Sequence, residues 1–192
     1  MVKRAFTLIE LIVVIAIIAI LSAIIAPSIF QTLEKAKIAR VVSDSKTVES
    51  AANSMFLDTG YWPGSNWDDD PTDPLQDAAQ GEGFIFKGSS PLIANTWDGP
   101  YINKWMTNPW FGQYWWDYNE ADQNLDGIDR EHVLWIDNGR GNSDDHRIPL
   151  KYRIRIDEAL DDGNVTNKTG RIQVWQGNPT DGNFGFILIQ GN

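Results

Sequence analysis

The sequence predicts an α+β protein, one long hydrophobic N-terminal α-helix followed by a β-rich globular domain. Three observations predict it. Phe6 to Phe30 is almost wholly apolar, with Glu10 its one carboxylate. An apolar stripe of helical period follows without a break. Beyond residue 57 the chain turns to short alternating or apolar runs punctuated by Gly, Pro, Asp and Asn, the pattern of strands and turns.

The first run carries no charge from Leu11 to Leu33. It is long enough to span a bilayer as a helix, which takes about 20 apolar residues. Lys3 and Arg4 stand before it and would stay cytoplasmic by the positive-inside rule. The run is longer than the roughly 7–15 residues of a secretory signal, and no A-x-A pattern closes it. A carboxylate at the depth of Glu10 costs roughly 2.5–3.5 kcal/mol if left in lipid, so it needs a partner. Pro27 lacks an N–H and clashes with the preceding turn, a local defect that kinks or weakens the helix.

After Leu33 come Glu34, Lys35, Lys37 and Arg40. Ile38, Val41, Val42, Val48, Ala51, Ala52, Met55 and Phe56 then form the stripe, which places one helix face on a globular domain. From Phe6 to Phe56 such a helix is about 75 Å long at 1.5 Å per residue. Thr59-Gly60, with Pro63 beyond, marks its stop.

Residues 64–96 are rich in Gly, Pro, Ser and Asp and read as a long loop. Strands are expected at about 132–136, 150–156, 171–176 and 184–190. Tyr152, Ile154 and Ile156 alternate with Arg153 and Arg155, as in a half-buried strand. Phe184 to Ile189 is apolar throughout, which suits a central strand or one set against the helix. Trp105, Trp110, Phe111, Tyr114, Trp115, Trp116 and Tyr118 form an aromatic cluster that reads mainly as core. On a strand, Trp115 and Trp116 point to opposite faces, so at least one is expected at the surface or an interface.

The chain has 192 residues, a net charge of −10 and no cysteine. About 135 residues follow the helix, enough for one domain with its own core. The basic residues form no cluster beyond the helix, which argues against nucleic acid as a partner. A domain of this size without disulfides holds its loops by packing or by metal. His132 and His146 are the only histidines, and no HExxH, P-loop, GxSxG or GxGxxG stands in the chain. The residues therefore predict no enzyme.

Two acidic loops could bind a hard cation. Asp122-x-Asn124-x-Asp126-Gly127 has the spacing of an EF-hand-type calcium loop, but Val133 stands at its twelfth position. Further ligands would come from residues such as Asp129 or Glu131. The second loop runs Asp137-Asn138-Gly139-Arg140-Gly141-Asn142-Ser143-Asp144-Asp145, where three close carboxylates repel unless a cation sits among them. Either stretch also reads as a solvated turn, and Arg140 could neutralise the second.

Lys3-Arg4-Ala5-Phe6-Thr7-Leu8-Ile9-Glu10 resembles the class III signal of type IV pilins and type II secretion pseudopilins. The resemblance implies the pilin fold, a long helix packed on a small antiparallel β-sheet. It implies cleavage between Ala5 and Phe6 by a prepilin peptidase and methylation of the new N-terminus; Ala5 stands where the family usually has Gly. Glu10 matches the glutamate that pairs with a neighbouring subunit's N-terminal amine, and Pro27 the proline near which the helix loosens in fibres. Val41-Val42-Ser43-Asp44, Asp58-Thr59-Gly60-Tyr61-Trp62-Pro63, Trp97-Asp98-Gly99-Pro100-Tyr101-Ile102 and Asn108-Pro109-Trp110-Phe111-Gly112-Gln113-Tyr114 are similar to segments of the major, G-type pseudopilin. Asn108 replaces the usual Asp, and Phe111 is inserted. In that pattern the Asp137 loop, with Asp144, Asp145 and the Leu134 carbonyl, is a calcium site.

The implied organisation is a leader at 1–5, a membrane-spanning, filament-core half-helix at 6–33, an amphipathic half at 34–56, and the globular domain at 57–192. The implied function is a structural subunit, the major pseudopilin of a type II secretion-like system. Its implied partners are further copies through the N-terminal helix, minor pseudopilins, an inner-membrane assembly platform, the prepilin peptidase and, before assembly, the membrane. The implied location is the cytoplasmic membrane with the domain outside the cytoplasm, then a periplasmic or extracellular filament. The alternatives are a major type IV pilin and, in another class, an anchored carbohydrate- or surface-binding module using the Trp-rich region. The similarity does not account for residues 147–192.

Overall fold

The computed structural model describes residues 6–64, 83–87, 90–110, 112–119, 131–137, 148–161, 163, 171–174 and 184–189. The chain divides into two compact units, residues 1–39 and 40–192. Helix α1 spans Leu8–Thr59 and continues through Pro27.

In the first unit the apolar residues of α1 are exposed from Leu8 to Leu33. Near the proline, the Ser28 hydroxyl donates to the Ile25 carbonyl at 2.8 Å and the Thr32 hydroxyl to the Ser28 carbonyl at 2.9 Å. These short side chains satisfy themselves on their own helix and ask nothing of the surroundings.

In the second unit α1 lays Val41, Ser45, Val48, Ala51, Ala52 and Met55 on the domain. Their spacings of three and four residues are those of one helix face. Val42 is half-buried, and Phe56 is exposed. Phe56 stacks on Trp62 with ring centroids 4.2 Å apart. The helix stops where the sequence places the stop. Gly60 adopts φ +76° and donates its N–H to the Phe56 carbonyl at 2.8 Å. That left-handed conformation suits a residue without Cβ.

The sheet has four antiparallel strands in the order β1-β2-β4-β3. They are β1 (Gln113–Asn119), β2 (Glu131–Asp137), β3 (Ile172–Val174) and β4 (Phe184–Ile189). Three of the four expected strands are present, and β4 takes the interior position its apolar run suggests. The expected strand at 150–156 is a helix instead, α2 (Leu150–Leu160). Its buried residues Arg153, Ile156 and Asp157 follow helical spacing. A period-two alternation of Ile and Arg overlaps that pattern because two of the three inward residues are charged.

Strand β1 comes from the aromatic cluster. Trp116 is buried and Trp115 half-buried against Val133 and Trp135, so neither ring is exposed. Both faces of β2 are buried from Glu131 to Ile136. Gly185 of β4 faces Trp135 of β2, where a Cβ would come within 2.4 Å of Val133 Cγ1 and 2.8 Å of Trp135 Cε3. Among the described residues, 147–192 thus supply α2 and two of the four strands, β3 and β4.

Aromatic tips tie α1 and its exit to the sheet. Tyr114 Oη donates to Asp44 at 3.0 Å, Tyr101 Oη to Asp58 at 2.8 Å, and Trp116 Nε1 to the Pro63 carbonyl at 2.7 Å. Tyr114 and Trp116 are buried and Tyr101 half-buried, each with its polar end paired. Arg171 beside β3 pairs with Glu49 of α1 at 3.1 Å.

Candidate assembly site

The start of α1 is closed by a reciprocal cap. The Thr7 N–H and Thr7 Oγ1 both donate to Glu10 Oε2 at 2.8 Å, and the Glu10 N–H donates to Thr7 Oγ1 at 3.3 Å. This is the capping box, Thr at N-cap and Glu three residues on, which satisfies helix-end donors reciprocally. The sequence reading assigned Glu10 only an intermolecular partner; Thr7-x-x-Glu10 was the signal for the local one. Phe6 beside it is 84% exposed. Ala5 lies outside the described residues. Pro27 sits within the exposed stretch of the same helix.

Of the expected metal ligands, Asp122, Asn124, Asp126, Asp144 and Asp145 lie outside the described residues. Asp137 ends β2 in register with Gln113, and Leu134 is fully buried in that strand between β1 and β4. Among the described residues no three His, Cys, Asp or Glu gather as a metal site.

The domain's buried polar groups serve packing. His132 lies between Trp62 and Trp116, each 5.3 Å away by ring centroids. Burial pushes its pKa down to about 3, so it stays neutral. Burial raises the pKa of Asp44, against the Tyr114 hydrogen bond and the Arg40 charge, which lower it. Burial, followed by the Asp44 charge, pushes the Tyr114 phenol up, which keeps it a donor. Arg40 adds a bond to the Thr107 carbonyl at 2.8 Å.

The loop before β1 turns on Asn108, which is buried. Its Oδ1 accepts from the N–H groups of Trp110 at 2.8 Å and Gly112 at 3.2 Å, and its Nδ2 donates to the Gln113 carbonyl at 3.3 Å. A carboxylate could not make the last bond. The replacement of the usual Asp therefore has a local reason.

A helix start exposed, apolar and capped in this way, followed in the chain by a domain with an antiparallel sheet, defines a pilin-like protein. The chain belongs to the type IV pilin and pseudopilin family. Residues 1–26 match the prokaryotic N-terminal methylation motif, and residues 32–129 match the family described as PilW, C-terminal. The chain is 31% identical over 114 residues to the type II secretion system core protein G of Escherichia coli K12, covering 58% of this chain and 70% of that one. It is 34% identical over 115 residues to the core protein G of Klebsiella michiganensis, covering 58% and 71%. A fimbrial protein of Neisseria meningitidis serogroup B is 36% identical over 64 residues, 33% of this chain and 38% of that one. No solved structure matches. The two matched stretches end at residue 129, so β2, α2, β3 and β4 lie beyond them.

Proposed function

We propose that this protein is the major pseudopilin of a type II secretion-like system, a structural subunit that packs helix against helix into a filament. The observation that carries the proposal is the run of α1 from Leu8 to Leu33, apolar, exposed and headed by Glu10 within a prepilin-type motif. Such a surface is stable only in a bilayer or against other helices. A prepilin peptidase cuts between Ala5 and Phe6. The freed amine of one subunit then replaces Thr7 as the partner of Glu10 in the next. Minor pseudopilins and a cytoplasmic-membrane platform complete the machine, with the domain outside the cytoplasm. The match to a fimbrial protein covers 64 residues against 114 for core protein G, which favours the secretion reading over a surface pilus. Burial of Tyr114 and Trp116 favours core over a sugar platform.

Glu10→Ala tests the pairing. The expected outcome is processed, membrane-inserted monomer and no filaments by electron microscopy. Filaments at normal number would refute it.

Calcium is the second part of the proposal, at the Asp137, Asp144 and Asp145 loop first and the Asp122, Asn124 and Asp126 loop second. Its support is the family resemblance of the first loop, the spacing of the second, and a cysteine-free acidic domain. A ligand at a hundred times its Kd stabilises the folded state by about 2.7 kcal/mol. Chelator should therefore lower the melting temperature, and Asp145→Ala should abolish the difference. An unchanged melting temperature, with no metal by elemental analysis, would remove both sites.

A further inference from the structure

Residues 41–192 hold 11 of the chain's cations against 24 of its carboxylates, a net charge of −13. The sequence reading found no basic cluster beyond the helix, but four of those 11 cations, Arg147, Lys151, Arg153 and Arg155, fall within nine residues, and no carboxylate stands between Asp145 and Asp157. Helix α2 carries three of them. Arg153 is turned inward and buried, while Lys151 and Arg155 are exposed. Glu158 is the exposed carboxylate within the same helix and Asp161 follows at its C-cap, so the positive charge of the outer face is that of its Leu150–Arg155 half.

That face has an apolar margin. Leu150 is 47% exposed. Tyr152 and Trp110 are half-buried, with ring centroids 5.3 Å apart, and Lys151 Nζ lies 4.5 Å from the Tyr152 ring centre. Aromatic rings beside long cationic side chains are the composition of strong protein–protein contacts.

We propose that the outer face of α2, through Lys151, Arg155, Leu150 and the Tyr152–Trp110 pair, docks on the acidic surface of a neighbouring copy of this chain. The proposal rests on the filament reading and names a contact within it. Domains of net charge −13 repel when packed side by side. A helical filament is built from heterologous contacts, in which one patch meets a different patch on the next copy. Such a contact can set a positive face against a negative one, which a two-fold contact of a single patch cannot do. Charge complementarity thus selects a second copy as the occupant, and it fixes orientation as well as attraction.

The test uses the full chain co-expressed with its assembly machinery. Three chains are compared: wild type, Lys151→Glu with Arg155→Glu, and Lys151→Arg with Arg155→Lys. The expected result is at least tenfold fewer filaments for the charge reversal and normal numbers for the conservative pair. Processed N-termini and an unchanged melting temperature in detergent would show that the reversed chain is made and folded. Normal filament numbers in the reversal would overturn the proposal. If the reversal does not fold, Lys151→Cys in this cysteine-free chain takes its place, probed with a Cys-to-carboxylate crosslinker on sheared filaments. A crosslink to an acidic residue of a second copy is the supporting result; a crosslink only to another envelope protein, or none, overturns it. Filaments absent from wild type itself would overturn the filament reading and this contact together. Filaments present in wild type and unaffected by the reversal would overturn this contact alone.

Discussion

At the scale of residues, single polar groups decide how the domain responds to its surroundings. His132 is the sharpest case. It is held at about 3, below its ordinary 6.5, by burial between two indoles. As pH falls from about 6.5 toward 3, the unfolded chain takes up a proton that the folded chain refuses. Stability present above that window is lost within it, at up to about 1.4 kcal/mol per pH unit for this one group. The globular part, from about residue 35, should therefore lose stability on acidification. His132→Phe should flatten the slope of stability against pH between 6.5 and 4 relative to wild type. Equal slopes in urea unfolding would show that the imidazole is not the responsible group. Asn108 and the Thr7–Glu10 cap are of the same kind, each satisfying nearby backbone groups. The cap could be read from Thr-x-x-Glu. The role of Asn108 could not, because its acceptor lies in a backbone turn that only the fold creates.

At the scale of elements, legibility followed the strength of the periodic signal. Helix α1 was readable almost to the residue, because 23 uncharged positions and then a regular stripe leave one solution. Its stop was readable because glycine alone takes φ +76° without strain. Strand β4 was readable as an apolar run. Strand β1 was hidden in the aromatic cluster, where Trp115 interrupts the otherwise polar face of Gln113, Asp117 and Asn119. Helix α2 was misread because Arg153 and Asp157 face inward, so its buried face is not apolar and the Ile–Arg alternation prevails. Tertiary context, not propensity, made that choice. The metal loops were legible only as spacing and resemblance. Strand β4 also yields a prediction. Gly185→Ala places a Cβ within 2.4 Å of Val133 Cγ1, in a strand pair that has no room for it. Overpacking of this sort costs typically 1–3 kcal/mol, and a melting scan of the globular part should show a lowered midpoint. An unchanged midpoint would mean that β4 and β2 are not joined at this register.

At the scale of the whole molecule, the chain divides its work. Residues 6–33 present apolar surface, and residues 40–192 build a sheet of which β2, β3 and β4 come from beyond the matched family stretch. Strand β4 gives β2 a partner on its second edge, which helps a domain without disulfides keep a core. The apolar helix is where the central claim stands or falls. The most direct measurement is electron microscopy of the full chain co-expressed with a prepilin peptidase and assembly machinery, with mass spectrometry of the same material. The expected result is thin filaments whose subunits begin at a methylated Phe6. Membrane-bound monomer that retains Met1 and forms no filaments would contradict it.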